Sequence, residues 1–229
     1  MFFVFFFGYS LSTFYPYENV NEFVQQIPNE FYIMLAVGFF AQMVDGALGL
    51  GYGMTSAAAM MSIGIKLPAI SGSIHTAEMF SSAVSGYSHY RFGNVNKKML
   101  IWLAIPGVIG AVLGSLFVIY IGGEYEHYAY PFVALYLILI AFRLLALAFK
   151  KKVVRKQIKR LSLLGFSGGF FDAFGGGGWG PIVTSTLLTK GRQSKYAIDT
   201  VFLADFFVPF AANMKFFASL GVEYWYIVL

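Results

Sequence analysis

The chain has no cysteine among its 229 residues, only three histidines and few charged side chains. The missing thiols exclude disulfide bonds and thiolate metal sites. Charged residues make up 12% of the chain and hydrophobic residues 58%, whereas a soluble domain carries about 25% charged residues. The composition therefore predicts an integral protein of a lipid bilayer. Six segments are long enough to cross or deeply enter one: 31–62, 68–90, 99–122, 129–149, 161–189 and 196–217.

The first apolar run, MFFVFFFGYS, has no basic residue before it and no A-x-A-like cleavage site after it. A secretory signal peptide is therefore not predicted. We interpret residues 1–30 as an N-terminal arm that lies on the membrane or partly enters it. The net charge of +5 comes from basic residues in short loops between apolar segments, which indicates orientation signals and no nucleic-acid partner.

A glycine-rich stretch occurs twice in the chain. Residues 38–55 read GFFAQMVDGALGLGYGMT, and residues 165–182 read GFSGGFFDAFGGGGWGPI. A shift of 127 positions, without a gap, aligns Asp45 with Asp172, Glu78 with Asp205, and Gly49, Gly51 and Gly53 with Gly176, Gly178 and Gly180. This shared register predicts an internal duplication. The first transmembrane repeat is 31–149, and a basic cytoplasmic linker, 150–160, joins it to the second, 161–229.

Loop charges predict how the repeats thread through the membrane. Three loops rich in Lys and Arg, at 91–98, 150–160 and 190–195, are expected on the cytoplasmic side. Because basic loops flank segment 161–189 on both sides, we expect it to be a re-entrant hairpin that breaks at its glycines. Its twin at 31–62 would enter from outside, which predicts an all-α fold with inverted repeats. Parallel repeats with two full crossings remain the alternative.

The glycine-rich breaks predict an anion site. A helix break within a membrane is tolerated where it is buried in protein or lines a wet cavity. Free N–H groups around Gly53–Thr55 and Gly180–Ile182 would lie at the positive ends of two half-helices, which favours an anion. The alternative is that the glycines only permit close helix packing. The residues expected to bind the substrate are Gly49, Gly51, Gly53, Thr55, Ser56, Gly176, Gly178, Trp179, Gly180, Thr184 and Ser185.

Acidic residues inside the apolar segments are candidates for gating or proton coupling. Glu78 and Asp205 lie deep in their segments, and we assign them this role. Asp45 and Asp172 end the first half-helices, where they either gate or cap exposed N–H groups. An acid close to a bound anion should be protonated or paired.

The histidines leave three alternatives open. His75, three positions before Glu78, would shuttle protons, or would be a histidine satisfied by hydrogen bonds. His75, Glu78 and His89 lie roughly on one helical face, and together they would form a divalent-metal pathway. The spacing is not that of a zinc hydrolase, and we predict no metal site and no catalytic residues.

Two stretches carry a resemblance to a known family. Residues 45–95, DGALGLGYGMTSAAAMMSIGIKLPAISGSIHTAEMFSSAVSGYSHYRFGNV, and residues 165–188, GFSGGFFDAFGGGGWGPIVTSTLL, resemble the sulfite exporter TauE/SafE family. The resemblance implies a plasma-membrane transporter for a small sulfur-containing anion, such as sulfite, thiosulfate or a sulfonate like sulfoacetate, without an organic cofactor. Asp199, Phe202 and Asp205 depart from the residues expected of the family at those positions.

The sequence therefore predicts a secondary transporter, with export favoured by the family label alone. No nucleophile–base pair supports an enzyme. A divalent metal-ion transporter and a non-transporting membrane scaffold are the alternatives. By the same shift, a helix that begins near Glu223 corresponds to the one that begins near Asn96, and the sequence stops at Leu229, a few residues into it, without a counterpart of 129–149. We therefore expect either further C-terminal helices or a partner, such as a second copy of the chain, that supplies them.

Overall fold

The computed structural model of the protein describes residues 29–48, 51–149, 160–190 and 194–220. Gly49, nearly all of the N-terminal arm and all of the basic linker except its last residue lie outside these ranges. The chain divides into two compact units, Met1–Ala36 and Val37–Leu229. The described residues of the first unit are 29–36, the opening turns of the first helix. All other described residues belong to the second unit.

The described residues are helical. The helices are α1 (Asn29–Leu48), α2 (Tyr52–Ser62), α3 (Leu67–Arg91), α4 (Lys97–Glu124), α5 (Glu126–Ala148), α6 (Leu161–Gly175), a π-helical turn (Gly180–Thr184) that runs into α7 (Ser185–Thr189), and α8 (Ser194–Leu220). Local chemistry sets several of these ends. Asn96 accepts a hydrogen bond from the Met99 amide at the start of α4, and Gly176 ends α6 in the left-handed conformation.

Helix boundaries repeat in the register that the sequence predicts. Helical conformation after the break begins at Tyr52 in the first copy and at Trp179 in the second, and these half-helices end at Ser62 and Thr189. Each pair is 127 positions apart. Both copies therefore consist of a half-helix, a break, a second half-helix and a long helix.

The equivalent long helices α3 and α8 run antiparallel to each other. Thr76 in the first half of α3 contacts Asn213 in the second half of α8, and His89 near the end of α3 contacts Asp199 near the start of α8. Two copies of one unit that pack with equivalent helices antiparallel are related by an approximate two-fold axis. The predicted inverted repeat is confirmed, and parallel repeats are excluded.

Ring contacts follow the same approximate symmetry. His75 lies against Phe216, with ring centroids 6.4 Å apart, and Phe202 stacks on His89 at 5.7 Å. Phe202 is the equivalent of His75, and Phe216 is the equivalent of His89. Exchanging the two copies therefore converts one contact into the other.

The second glycine-rich segment is a re-entrant hairpin. α6 runs parallel to α4, since Gly165 packs against Leu103 and Ala173 packs further along against Gly114. Between α6 and the following half-helix the chain reverses, because Gly168 packs against Val183.

The helix after the hairpin, α8, is again parallel to α4. The Asn96 amide at the start of α4 donates to Thr200, and Gly107 further along packs against Val208. Since α6 and α8 point the same way, the half-helix between them must return toward the face from which α6 enters. The re-entrant geometry inferred from the basic loops is confirmed.

Three of the described helices are long and apolar enough to cross a membrane: Lys97–Gly122, Glu126–Ala148 and Tyr196–Ser219. α3 has 25 residues, a length of about 37 Å at the helical rise, but its composition is more polar. Ser71, Gly72, His75 and Thr76 of this helix are buried inside the protein rather than facing lipid. A helix buried in this way keeps its length while its sequence loses the uniform apolarity of a lipid-exposed span.

Candidate functional site at the hairpin tips

The tips of the two hairpins touch. A Cβ atom built on Gly53 would lie 2.8 Å from the Cα of Gly177, and one built on Gly177 would lie 2.7 Å from the Cα of Met54. Real Cβ atoms do not approach backbone this closely. Glycine is therefore required at both positions for the two breaks to meet.

A cavity of about 30 Å³ lies beside these tips, which is large enough to hold water. Its lining contains four pairs of residues that are equivalent between the repeats: Asp45 with Asp172, Tyr52 with Trp179, Gly53 with Gly180, and Glu78 with Asp205. The other lining residues are Gly51, Gly177, Pro181, Thr184, Ile198, Val201 and Phe202. The two halves of the duplication thus contribute corresponding positions to one shared space.

Asp172 caps the second half-helix of its own hairpin. Its Oδ1 accepts hydrogen bonds from the amides of Gly178 and Trp179, at 2.7 and 2.8 Å, and the residue is buried. Asp45 in the first copy accepts a hydrogen bond from the amide of Tyr52, the equivalent of Trp179. These bonds satisfy amides that a helix start leaves without a partner.

His75 joins the first repeat to this cap. Its Nε2 lies 3.2 Å from Oδ2 of Asp172, and its Nδ1 lies 2.5 Å from the backbone oxygen of Ser71. The ring is fully buried. Because a carbonyl oxygen only accepts hydrogen bonds, Nδ1 carries a proton, and Nε2 is the atom that faces the carboxylate.

Glu78 and Asp205 place further carboxyl groups at the cavity. Oε1 of Glu78 would lie 2.9 Å from a Cβ on Gly53, so this carboxyl group lies against the first tip. Among the lining residues that the structure describes there are four carboxyl groups and no Lys or Arg. Any bound anion therefore needs a compensating positive charge or proton.

Comparison with known proteins gives the chain its family. Residues 34–229 match the profile of the family described as "Sulfite exporter TauE/SafE". The chain is 39% identical over 195 residues to "Probable membrane transporter protein YtnM" of Bacillus subtilis (strain 168). The match covers 82% of the chain and 64% of that relative, so the chain spans less than two thirds of the relative's length. No solved structure matches.

The chain belongs to the sulfite exporter TauE/SafE family. The family resemblance noted in the two glycine-rich stretches is confirmed. Together with the three long apolar helices among the described residues, this membership places the chain in a membrane as a multi-pass protein.

Two of the amides that were expected to be free at the helix breaks of this TauE/SafE chain are hydrogen-bonded. Thr55 donates to the Gly51 oxygen and Ile182 to the Gly178 oxygen, so both amides already belong to helical hydrogen bonds. The expectation that these two amides are free is wrong, because each half-helix starts closer to its break. Gly53 and Gly180 lie in the first turns of the two half-helices, where amides have no partner within the helix, and both residues border the cavity.

Several predicted substrate residues of the TauE/SafE chain lie away from the cavity lining. Thr55 is exposed and Ser56 is buried elsewhere. Ser185 donates to the Pro181 oxygen, one turn back on its own helix. Gly176 and Gly178 shape the break itself, through a φ of 69° and the amide contact to Asp172.

The structure separates His89 from the other two residues of the predicted metal pathway. His89 Nδ1 lies 3.2 Å from Oδ1 of Asp199, and this pair is 14 residues, about 21 Å, further along α3 than His75. Both Asp199 and Phe202, which depart from the residues expected of the family, contact His89. Asp172 takes the place of His89 beside His75 and Glu78.

Sequence reasoning missed Arg143 of α5. Its guanidinium donates to the Pro181 oxygen at 2.7 Å, to Ser185 at 2.9 Å and to Thr186 at 2.7 Å, which ties α5 to the second hairpin. The available signal was an arginine inside the apolar segment 129–149. Such a residue is costly in a membrane unless it meets acceptors within the protein.

Proposed function

We propose that the chain is part of a secondary transporter that moves a small sulfur-containing anion, such as sulfite, thiosulfate or a sulfonate, by alternating access. The observation that carries this proposal is the meeting of two inverted hairpin tips at a cavity lined by equivalent residues. Broken helices that meet at an inverted-repeat interface are a recurring arrangement for substrate sites in secondary transporters. The family description supplies the substrate class, and it also favours export.

The amides in the first turns of the two half-helices support an anionic substrate. Gly53 and Gly180 each lie in the first turn of a half-helix, where the N–H groups point away from the helix and carry partial positive charge. Thr184 adds a hydroxyl group to the lining. These donors suit the oxygens of a sulfite or sulfonate group.

The carboxyl groups supply a means of coupling. A protonated Glu78 or Asp205 can donate a hydrogen bond to an anion oxygen, whereas the ionised group repels the anion. We assign gating or proton coupling to these two residues, with Asp45, His75 and Asp172 supporting them from the hairpins. Anion binding and proton binding would then favour each other.

The small volume of the cavity fits a closed state. A typical ligand pocket has roughly 300 Å³ or more, so at about 30 Å³ the cavity should widen when the repeats move apart. The approximate two-fold relation of the repeats makes inward and outward opening equivalent movements.

Counterflow in proteoliposomes tests this function. Vesicles containing the full chain and loaded with unlabelled sulfite should accumulate ³⁵S-sulfite, and excess thiosulfate or sulfoacetate should compete while chloride should not. Asp205→Asn should remove the dependence of the rate on a pH gradient, because the amide cannot exchange a proton. Protein-free vesicles are the control. Uptake of zinc without uptake of any sulfur anion would contradict the proposal.

A further inference from the structure

Three side chains from the two repeats converge at one point. His75 and Glu78 come from α3, and Asp172 comes from α6 of the second hairpin. Each offers one ligand atom, and these atoms all lie within 4.8 Å of one another. The separation of 3.2 Å between His75 Nε2 and Asp172 Oδ2 is close to the edge of a tetrahedral zinc site, about 3.3 Å for bonds of 2.0–2.1 Å.

The hydrogen bonding of His75 leaves a position for a cation. Nδ1 donates to the Ser71 oxygen, so in the neutral ring Nε2 presents a lone pair toward a carboxylate oxygen of Asp172. Two acceptors 3.2 Å apart need a positive charge between them, either a proton on Nε2 or a metal ion. A metal-binding histidine nearly always donates its other ring N–H to a carbonyl or carboxylate oxygen, as His75 does.

Glu78 provides an independent indication. Its Oε2 atom is buried and has no hydrogen-bond partner in the described part of the chain. An unsatisfied buried carboxylate oxygen is costly, and a cation would satisfy it. The cavity beside it holds Asp45 and Asp205 as well, with no Lys or Arg among the lining residues described.

We propose that His75, Glu78 and Asp172 bind a divalent cation of the zinc class between the two repeats. One imidazole nitrogen with two carboxylate oxygens suits zinc better than magnesium or calcium, which favour oxygen ligands alone. The ion would connect α3 to the second hairpin and offset part of the negative charge near the substrate. It would bind in place of a proton on Glu78, so Asp205 would be the group that carries the proton. The proposal rests on the geometry of these three side chains and not on which anion is transported.

Calorimetric titration of the purified full chain, freed of metal by a chelator, tests the site. We expect one zinc ion to bind per chain, with no comparable binding of magnesium or calcium. Glu78→Gln should weaken zinc binding at least about tenfold, a loss that even outer-shell substitutions produce. Zinc X-ray absorption of the unmodified chain should show one imidazole nitrogen and oxygen ligands at about 2.0–2.2 Å.

His89→Gln is the matched control. His89 lies on α3, as His75 does, and forms a comparable pair with Asp199 of α8, but it lies outside the cluster. This variant should bind zinc as the unmodified chain does. Absence of zinc binding would overturn the proposal and leave a proton as the bridge between His75 and Asp172. The proposal would also be overturned if Glu78→Gln bound zinc as tightly as the unmodified chain, or if both variants lost the same zinc affinity. Sulfite counterflow in metal-free vesicles would show that transport does not need the ion, and it would not contradict zinc binding. The proposed transport function and the proposed zinc site can therefore fail separately.

Discussion

Replacement of Asp172 by alanine is expected to lower the free energy of unfolding by about 3–5 kcal/mol, the cost of removing one partner from a buried charged pair. The substitution leaves the buried amides of Gly178 and Trp179 without an acceptor, and it leaves His75 Nε2 without its carboxylate. Unfolding of the detergent-solubilised protein in a titration with SDS would measure the loss.

Two matched variants separate the causes of that loss. Asp172→Asn keeps an oxygen that can accept from both amides, so it should be clearly less destabilising than the alanine variant. Asp45→Ala removes the equivalent cap in the first repeat, where the carboxylate is less buried, and it should also cost less. Equal losses for all three variants would show that the capping contacts do not set the stability of the second hairpin.

Gly53→Ala is expected to reduce sulfite counterflow about 100-fold, since displacements of about 1 Å at a site are known to have effects of that size. The new methyl group would lie 2.8 Å from the Cα of Gly177 and 2.9 Å from Oε1 of Glu78. Backbone cannot move aside as a flexible side chain can, so the two tips must separate. Initial rates in proteoliposomes would measure the effect.

Gly38→Ala provides the control for a glycine substitution. Gly38 lies inside α1, and a Cβ atom there would meet nothing within 4 Å. Its counterflow should equal that of the unmodified chain, and its helix should be slightly more stable, because alanine is the better helix former by about 1 kcal/mol. Normal transport by Gly53→Ala would mean that contact between the tips is not needed for function.

Much of the fold could be predicted from the sequence because a duplication leaves its register in the chain. The shift that aligns Asp45 with Asp172 also aligns the helical starts at Tyr52 and Trp179 and the helix ends at Ser62 and Thr189. The basic loops on both sides of 161–189 were sufficient to indicate a hairpin, since lysine and arginine in short loops remain cytoplasmic. Helix breaks at the glycines followed from the same stretch.

Side-chain partners could not be predicted because they depend on how two distant segments meet. The spacing of His75, Glu78 and His89 on one helix suggested a common site, yet helical spacing says nothing about which residue of another helix approaches. Asp172 reaches His75 from 97 positions away along the chain. Asp199 pairs with His89 in the same way.

The departures from two-fold symmetry separate the roles of the two repeats. His75 faces an acid at the tip cavity, whereas its equivalent Phe202 cannot ionise and stacks on His89. Within the described residues, a histidine therefore contacts a lining carboxylate of the cavity from the first repeat only. The equivalent glycines and acids, in contrast, serve both hairpins.

Side-specific labelling of single cysteines tests the central claim, that two hairpins enter from opposite faces and meet at their tips. Ser62 and Lys190 are exposed residues at the far ends of the returning half-helices, and the chain has no other cysteine to label. In sealed, oriented vesicles, Ser62→Cys should react with an impermeant maleimide from the outside only, and Lys190→Cys from the cytoplasmic side only. Labelling of both positions from the same face would contradict the inverted arrangement and the shared site built on it.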